Sequence, residues 1–302
     1  MRGLRKVSVA VSAFALAAML GGCGGDHTTP QSNPPSSGTP LLPSVERDNA
    51  IADQVPAKIR STGKMTVGIN VPYEPNEFVD RTGTLVGFDV DLMNSIGTVL
   101  GVVPDFRRSK FAALITDIPK GRYDLAISSI TDNSRREKSM DFVTYFNAGV
   151  SWASRAGDLV DPSEACGKRV VVKAGTVADR VDVSARSDAC KAQGRKEIVV
   201  IGVGDQDEVT RTLLSGKADA MAADSPLVAY QVKQSSGQLV LAPGVFLSQP
   251  YGIAFEKGSA LVEPVRAALQ SLMDSGEYQR IARKWGVENG TIPSALINGA
   301  YG

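Results

Sequence analysis

The sequence contains a single histidine, His27, and it lies in a polar segment near the start of the chain. A lone histidine argues against a His-based metal cluster and against Ser/His/Asp or Cys/His catalysis in the folded part. The chain also lacks a basic block, and its formal charge is only +1, which disfavours a nucleic-acid partner. No metal or cofactor site is therefore predicted, although a carboxylate- or lysine-based enzyme stays open.

Cysteine is also scarce, and the first of the three cysteines follows a segment typical of an export signal. Basic residues precede an apolar run over residues 7–20, which is short for a transmembrane helix. The run ends in Leu20-Gly21-Gly22-Cys23, which resembles a bacterial lipobox. Residues 1–22 are predicted to be a lipoprotein signal peptide, and Cys23 the lipidated anchor on the outer face of the cell membrane. An ordinary signal peptide with an incidental cysteine is the alternative.

The other two cysteines, Cys166 and Cys190, are predicted to form a disulfide, because an exported protein folds where disulfides persist. The bond would close a loop of about 25 residues and contribute roughly 3 kcal/mol to stability. Two free thiols are the alternative.

A flexible tether is predicted after the lipidated cysteine. Residues 24–44 are rich in Gly, Ser, Thr, Pro and Asn and show no apolar periodicity. We assign residues 23–48 to the lipidated cysteine and its tether.

Strand-like and helix-like segments alternate beyond the tether, which predicts an α/β protein with mainly parallel sheets. Asp89 is expected to cap a helix, and Asp205 to form a capping box with Glu208. Ligands of open α/β sheets bind beyond the carboxyl ends of the strands. That rule selects residues that follow predicted strands: Tyr73, Ser129, Thr131, Lys173, Gly175, Thr176 and Asp224.

Several short motifs, each weak alone, occur in a specific order over residues 60–290. The segment Gly87-Phe88-Asp89-Val90-Asp91-Leu92 is similar to a Gly-Phe-(Asp/Glu)-x-Asp-Leu signature. Residues 121–125, 131–136, 167–170, 173–176, 216–220 and 251–255 follow with the same family's spacing. Together they resemble the bacterial extracellular solute-binding proteins of family 3, the glutamine/glutamate type that serves polar amino-acid ABC transporters.

The resemblance implies a periplasmic-binding-protein type II fold, or Venus flytrap, with two α/β lobes joined by two crossing strands. The crossings are expected near residues 150–155 and 248–253. Lobe 1 would combine residues 49–152 with residues 251–302, and lobe 2 would span residues 153–250. Ligand would bind between the lobes and be buried by hinge closure.

The resemblance also implies roles for individual residues. Arg136 matches the arginine that grips the ligand α-carboxylate, and Asp224 the acid that accepts the ligand ammonium. Lys173 is expected to reach a side-chain carbonyl or carboxylate, which favours Glu, Gln, Asp or Asn as ligand. Hydroxyl or backbone contacts and aromatic walls are expected from Ser129, Thr131, Thr176, Tyr73 and Phe111. Surface, capping or core-packing roles are the alternatives for these residues.

Three residues depart from the family pattern or complicate the prediction of the ligand. Many relatives carry Phe where this chain has Asn76, and a small or hydroxyl residue where it has Val177. Glu77 lies nearby and could repel an acidic ligand or contact a cationic one.

The predicted function is capture of a free polar amino acid for an ABC importer. A membrane permease and an ATPase would be separate partners, and the resemblance implies a monomer without cofactor. Two alternatives stay open: a ligand-sensing lipoprotein with a separate membrane partner, and a dehydratase-like enzyme on the same fold.

Overall fold

The computed structural model of the protein describes residues 45–301. The predicted signal peptide, the predicted lipidation site Cys23 and the tether up to residue 44 lie outside the described residues. Within residues 45–301, no helix combines the length and the apolar character needed to cross a membrane.

Strands and helices alternate along the described chain. The strands are β1 Lys64–Ile69, β2 Phe78–Val79, β3 Leu85–Val86, β4 Val103–Arg108, β5 Leu125–Ala126, β6 Met140–Arg155, β7 Arg169–Lys173, β8 Val199–Val203, β9 Ala220–Asp224, β10 Leu239–Leu241 and β11 Phe246–Glu256. The α-helices are α1 Asn49–Ala52, α2 Ala57–Thr62, α3 Phe88–Leu100, α4 Phe111–Asp117, α5 Ser184–Ala192, α6 Gln206–Leu214, α7 Ser225–Gln234, α8 Val262–Asp274 and α9 Glu277–Trp285. Short turns of 3-10 or π helix cover Ile118–Lys120, Pro162–Glu164, Ala178–Val183 and Glu288–Gly290.

Most strands form one mixed sheet in the order β4-β1-β5-β11-β6-β9-β7-β8, with β10 paired to β6. Pairing is parallel between β1 and both β4 and β5, and between β7 and both β8 and β9. The long strands β6 and β11 lie in the middle and pair antiparallel with each other and with their other neighbours. The predicted parallel arrangement therefore describes the two ends of the sheet, and the centre is antiparallel.

The buried apolar side chains form two groups, one at each end of this sheet. The first core draws on residues 55–148 and 251–295, and its helices α3, α8 and α9 pack on one face of the sheet while α4 covers the other. The second core draws on residues 150–242, with helix packing again on both faces, and the ring of Tyr73 joins it. Burial of apolar surface on both faces at each end is what an α/β architecture requires.

Helix α3 illustrates how the sequence determines these elements. Leu92, Met93 and Ile96 recur at helical spacing and are fully buried in the first core. The helix ends at Gly101, whose φ of +66° is a conformation that favours glycine. It begins after Gly87, where a Cβ atom would collide with the carbonyl group of Asn76.

Of the two predicted helix caps, one is wrong and one is confirmed. Asp89 does not cap α3, because the capping position is Gly87 and the buried Asp89 carboxylate accepts hydrogen bonds from elsewhere in the chain. The helical segment after β7 begins with the π-helical turn Ala178–Val183. Asp205 does cap α6, since its carboxylate accepts the N–H of Glu208 at 2.8 Å.

The predicted disulfide between Cys166 and Cys190 is confirmed, with Cα atoms 5.6 Å apart. Cys190 lies in α5 and is buried in the second core, and Cys166 packs against the same core. The bond therefore ties α5 to the segment that precedes β7.

Candidate ligand-binding site

A small cavity lies between the first and second cores. Only about 10 Å³ of it is available to the centre of a water-sized molecule, so the cavity is nearly closed. The first core's side contributes Tyr73, Phe111, Ser128, Ser129, Thr131 and Arg136, and the second core's side contributes Lys173, Thr176, Val177 and Asp224. All eight residues predicted to bind ligand line this one cavity, while their role in binding stays a prediction. A larger and more open groove between α7 and α9 lies apart from them.

The carboxyl ends of the strands position most of these side chains, as expected for an α/β sheet. Tyr73 follows β1, and Ser129 and Thr131 follow β5. Lys173 and Asp224 are the last residues of β7 and β9. Because these strands come from both ends of the sheet, the cavity is lined from two sides.

Arg136 brings a guanidinium group to the cavity. Its Nη1 donates a hydrogen bond to the carbonyl oxygen of Thr131 at 2.7 Å, and its Cζ lies 5.8 Å from the ring centroid of Phe111. Burial lowers the pKa of Arg136 to about 10, and the carboxylates of Asp224 and Asp132 oppose that shift. The group remains cationic at neutral pH, and only one of its donors is used by the bond to Thr131.

Asp224 faces the cavity from the second core's side and is 8% exposed. It occupies the capping position of α7 without a side-chain capping bond, so the alternative prediction of a simple helix cap is wrong. Its Oδ2 instead accepts a hydrogen bond from the hydroxyl group of Tyr73 at 2.6 Å. Burial raises the pKa of Asp224, while Tyr73, Lys173 and Arg136 favour its ionised form.

Lys173 is 3% exposed, which is unusual for a lysine. Its Nζ donates to Oδ1 of Asn70 and lies 4.4 Å from the ring centroid of Tyr73 and 5.3 Å from that of Phe111. Burial lowers the pKa of Lys173 to about 8, and the carboxylates of Glu77, Asp224 and Asp205 oppose the shift. The lysine is therefore part of the cavity wall, and the alternative of a solvated surface lysine is wrong.

The hydroxyl residues are held by local contacts. Ser129 has a φ of +51°, in the left-handed region, and its N–H is bonded to the carboxylate of Asp89 at 2.9 Å. Thr131 forms an isolated β-bridge with Tyr251. The hydroxyl group of Thr176 donates to the carbonyl oxygen of Lys173 at 2.8 Å and accepts the N–H of Asp179 at 3.3 Å.

Ser128 and Asn70 are not among the residues predicted to form the site. Ser128 lines the cavity, and Asn70 accepts the Lys173 bond while its Nδ2 donates to the carbonyl oxygen of Ser109 at 2.7 Å. Both residues lie at carboxyl ends of strands, so the same topological rule could have selected them. Asn76 and Glu77 are 1% exposed and do not line the cavity, whereas Val177 does.

The cavity thus presents two cations, one carboxylate, hydroxyl groups and two aromatic rings within a small volume. This set can bind a small zwitterion, because each charged end finds an opposite charge and the rings contact the apolar stem. Two α/β cores joined by long central strands around such a cavity define a periplasmic-binding-protein type II fold.

Comparison with known proteins places the chain within this fold class. Residues 65–288 match the bacterial extracellular solute-binding proteins of family 3. The chain belongs to that family. It is 37% identical over 251 residues to the arginine-binding protein ArgT of Corynebacterium glutamicum, a match that covers 82% of each chain.

Solved structures agree on the fold. A P235GK mutant of the arginine-binding protein of T. maritima is 32% identical with a TM-score of 0.68, covering 78% of this chain and 99% of that one. An ancestral arginine-binding protein bound to glutamine is also 32% identical, with a TM-score of 0.66, covering 75% of this chain and 99% of that one. The family resemblance predicted from the motifs is confirmed, whereas the predicted glutamine/glutamate type does not follow from these matches.

Proposed function

We propose that this protein captures a free polar amino acid for an ABC importer and delivers it to a membrane permease with its ATPase. The observation that carries the proposal is that Arg136 and Asp224 line one cavity from opposite sides. The Arg136 guanidinium would bind the ligand α-carboxylate bidentately, and Asp224 would accept the ligand ammonium. These are the two groups that every free amino acid carries, and their pairing supports recognition and not catalysis.

The ligand is an amino acid with a side-chain carboxylate or amide, with glutamate, glutamine, aspartate and asparagine as candidates. The Lys173 ammonium, which is bonded to Asn70, lies at the cavity wall beside Tyr73 and Phe111. It would donate to a side-chain oxygen of the ligand. A cationic side chain there would be repelled, by roughly 4 kcal/mol for two unit charges about 4 Å apart at an effective dielectric of 20.

Arginine is the competing candidate, because the relatives reported above are named for it. The same comparisons include an ancestral arginine-binding protein bound to glutamine, so one binding protein of this fold accommodates both kinds of side chain. In this chain the buried Lys173 favours the neutral or acidic ligand.

Ligand exchange requires the two sides of the cavity to separate. Two hydrogen bonds now join them directly, from Tyr73 to Asp224 and from Lys173 to Asn70. We assign lobe 1 to residues 49–152 with 251–302 and lobe 2 to residues 153–250, with β6 and β11 as the crossing strands. A ligand that contacts both lobes favours the closed state over the open one.

The remaining parts of the proposal concern the membrane. Lipidated Cys23 would hold the protein at the outer face of the cell membrane, and the polar segment after it would let the monomer reach both ligand and permease.

The test is a thermal-shift screen of ligand-free protein against the twenty amino acids, because a ligand that binds only the native state raises Tm. Arg136→Ala is compared with Arg135→Ala, a matched change at the exposed neighbouring arginine. We expect a shift with at least one of the four candidates that Arg136→Ala abolishes and Arg135→Ala retains. A shift that survives Arg136→Ala contradicts the placement of the carboxylate, and no shift with any amino acid contradicts the function.

A further inference from the structure

A pair of carboxyl groups, Glu77 and Asp89, lies behind the cavity and takes no part in the proposed ligand contacts. The two residues are 1% and 0% exposed. The donors that contact them are uncharged and belong to Ser128, Ser129 and Tyr145. Two buried carboxyl groups with neutral hydrogen-bond donors require an explanation, because two like charges are costly to bury and Lys173, the one cation of the described residues that faces them, can compensate only one.

The two groups adjoin each other. The Oε2 atom of Glu77 and the Oδ2 atom of Asp89 both lie 3.5 Å from the hydroxyl oxygen of Ser129. Adjacent buried carboxyl groups cannot both ionise cheaply, so one of them holds a proton at neutral pH.

The surrounding donors indicate which group keeps the charge. Asp89 Oδ2 accepts the N–H of Ser129 and the hydroxyl group of Tyr145, both at 2.9 Å. Within residues 45–301, Glu77 accepts the hydroxyl group of Ser128 at 2.8 Å and only a long contact, at 3.5 Å, from that of Ser129. Asp89 accepts more short hydrogen bonds than Glu77. Asp89 therefore carries the negative charge, and Glu77 holds the proton. Burial and the Asp89 charge raise the pKa of Glu77 well above its usual value, which agrees with this division.

A proton on Glu77 also explains an otherwise unpaired atom. Asp89 Oδ1 is buried and receives no hydrogen bond from residues 45–301 when every carboxyl oxygen is taken as an acceptor. A protonated Glu77 is a donor next to Asp89. The O–H group would then complete the hydrogen bonding of the pair.

We propose that Glu77 and Asp89 share one proton and act as positioning residues that hold Ser128 and Ser129 in the wall of the ligand cavity. The inference rests on the proposed function for its consequence in ligand binding. Ser129 needs such support, because its φ of +51° is rarely adopted by residues other than glycine. Its N–H is fixed by Asp89, and its hydroxyl oxygen accepts the Nδ2 group of Asn76 at 2.8 Å.

The pair also acts on the opposite side of the cavity through Asn70. The hydroxyl group of Ser128 donates to Glu77 and accepts the N–H of Asn70 at 3.0 Å. Asn70 in turn accepts the bond from Lys173. A displaced Ser128 would therefore disturb the residues proposed to select the ligand side chain.

Ligand affinity should fall at high pH, because loss of the shared proton places two carboxylates side by side. The titratable groups that face Glu77 are Asp89, Tyr145, Tyr73 and Lys173. Deprotonation of Lys173 would also weaken binding at high pH. The two contributions are separated by Glu77→Gln, which leaves Lys173 in place.

Glu77→Gln is the informative variant, since glutamine has the shape of a protonated glutamate. Its amide can donate to Asp89 and its oxygen can accept from Ser128. Infrared spectra of the whole protein at pH 7 should show the C=O band of a protonated carboxyl group. Burial also raises the pKa of Asp132, to about 7, so the band has to be read from difference spectra. The spectrum of the native protein minus that of Glu77→Gln should contain the band, and the same difference taken with Glu288→Gln, a control at an exposed glutamate, should lack it. Absence of the band from the Glu77→Gln difference spectrum would overturn the shared proton.

Positioning is tested without ligand by hydrogen exchange at the Ser129 amide. Exchange should be faster in Glu77→Ala and near the native rate in Glu77→Gln. Equal protection in Glu77→Ala would contradict the positioning role. If Glu77→Ala does not fold, Asp89→Asn replaces it, because a neutral amide oxygen is a weaker acceptor for the Ser129 N–H than the carboxylate.

Calorimetry with L-glutamine as probe tests the effect on binding. Affinity should fall roughly tenfold in Glu77→Ala and stay within about threefold in Glu77→Gln. The decline at high pH should be smaller in Glu77→Gln than in the native protein. A pH profile of binding in Glu77→Gln that equals the native profile would count against the inference. Failure of the native protein to bind L-glutamine would count against the proposed ligand class. The infrared and exchange experiments would then decide on the shared proton and the positioning role.

Discussion

Replacement of Lys173 by methionine is the sharpest test of the proposed ligand class. Methionine keeps an unbranched stem beside Tyr73 and Phe111 but removes the ammonium group. A hydrogen bond to a charged group contributes about 1.5–3 kcal/mol, so the Kd for glutamate or glutamine should rise about 10- to 150-fold. The unliganded variant should not lose stability at pH 7, because the native protein buries a cation whose pKa is lowered to about 8.

The assay is isothermal titration calorimetry with L-glutamate, L-glutamine and L-arginine. Lys217→Met is the matched control, since Lys217 is exposed in the segment between α6 and β9 and distant from the cavity lining. The reasoning is refuted if Lys173→Met binds glutamate and glutamine as the native protein does. It is also refuted if the native protein prefers arginine to both.

The other predictions concern pH, charge burial and the disulfide. Affinity for L-glutamate should fall by up to about tenfold per pH unit above the Lys173 pKa of about 8, and titrations of Lys173→Met should lack this part of the slope. Asp224→Asn should raise the Tm of ligand-free protein at pH 7, because burial raises the carboxyl pKa and ionisation therefore costs stability as pH rises through that pKa. This increase in Tm should be smaller at acid pH, and the increase in Tm that a ligand causes should be lost in the variant. An unchanged or lower Tm of the ligand-free variant at pH 7 would contradict the expected direction. Serine at both Cys166 and Cys190, 24 positions apart, should lower the free energy of unfolding in urea titrations by roughly 3 kcal/mol, and a loss near zero would contradict the loop-entropy argument.

The positions of the candidate site residues could be predicted from the sequence because they depend on topology. Tyr73, Lys173 and Asp224 follow or end apolar strand-like runs, and the carboxyl ends of such strands meet at the ligand side of an α/β sheet. The apolar spacing in α3 likewise predicted its buried face. Both signals are local, so a single sequence contains them.

Contacts between residues distant in sequence could not be predicted in the same way. Lys173 and Asn70 are 103 positions apart, and their hydrogen bond depends on how the two cores meet across the cavity. For Asp89, the local sequence permits two orientations of the side chain. An acidic residue early in a helix can cap the helix, or its side chain can point into the protein interior. Its inward orientation depends on Ser129 and Tyr145, 40 and 56 positions away, which supply its donors.

The groups proposed to bind the ligand are already bonded to each other across the cavity. Tyr73 donates a hydrogen bond to Asp224, and Lys173 donates one to Asn70. Both charged groups therefore have a hydrogen-bond partner when the cavity is closed. A ligand must therefore offer more than these two bonds do, because only a difference in affinity between the closed and open states shifts their equilibrium. Arg136 lies on the first core's side, so its bond to the α-carboxylate can form in the open state as well. The difference would come from a ligand that bridges both sides, with its carboxylate at Arg136 and its ammonium at Asp224, because the second contact forms only when the sides meet. Lys173 with Asn70 would mainly decide which side chain is accepted.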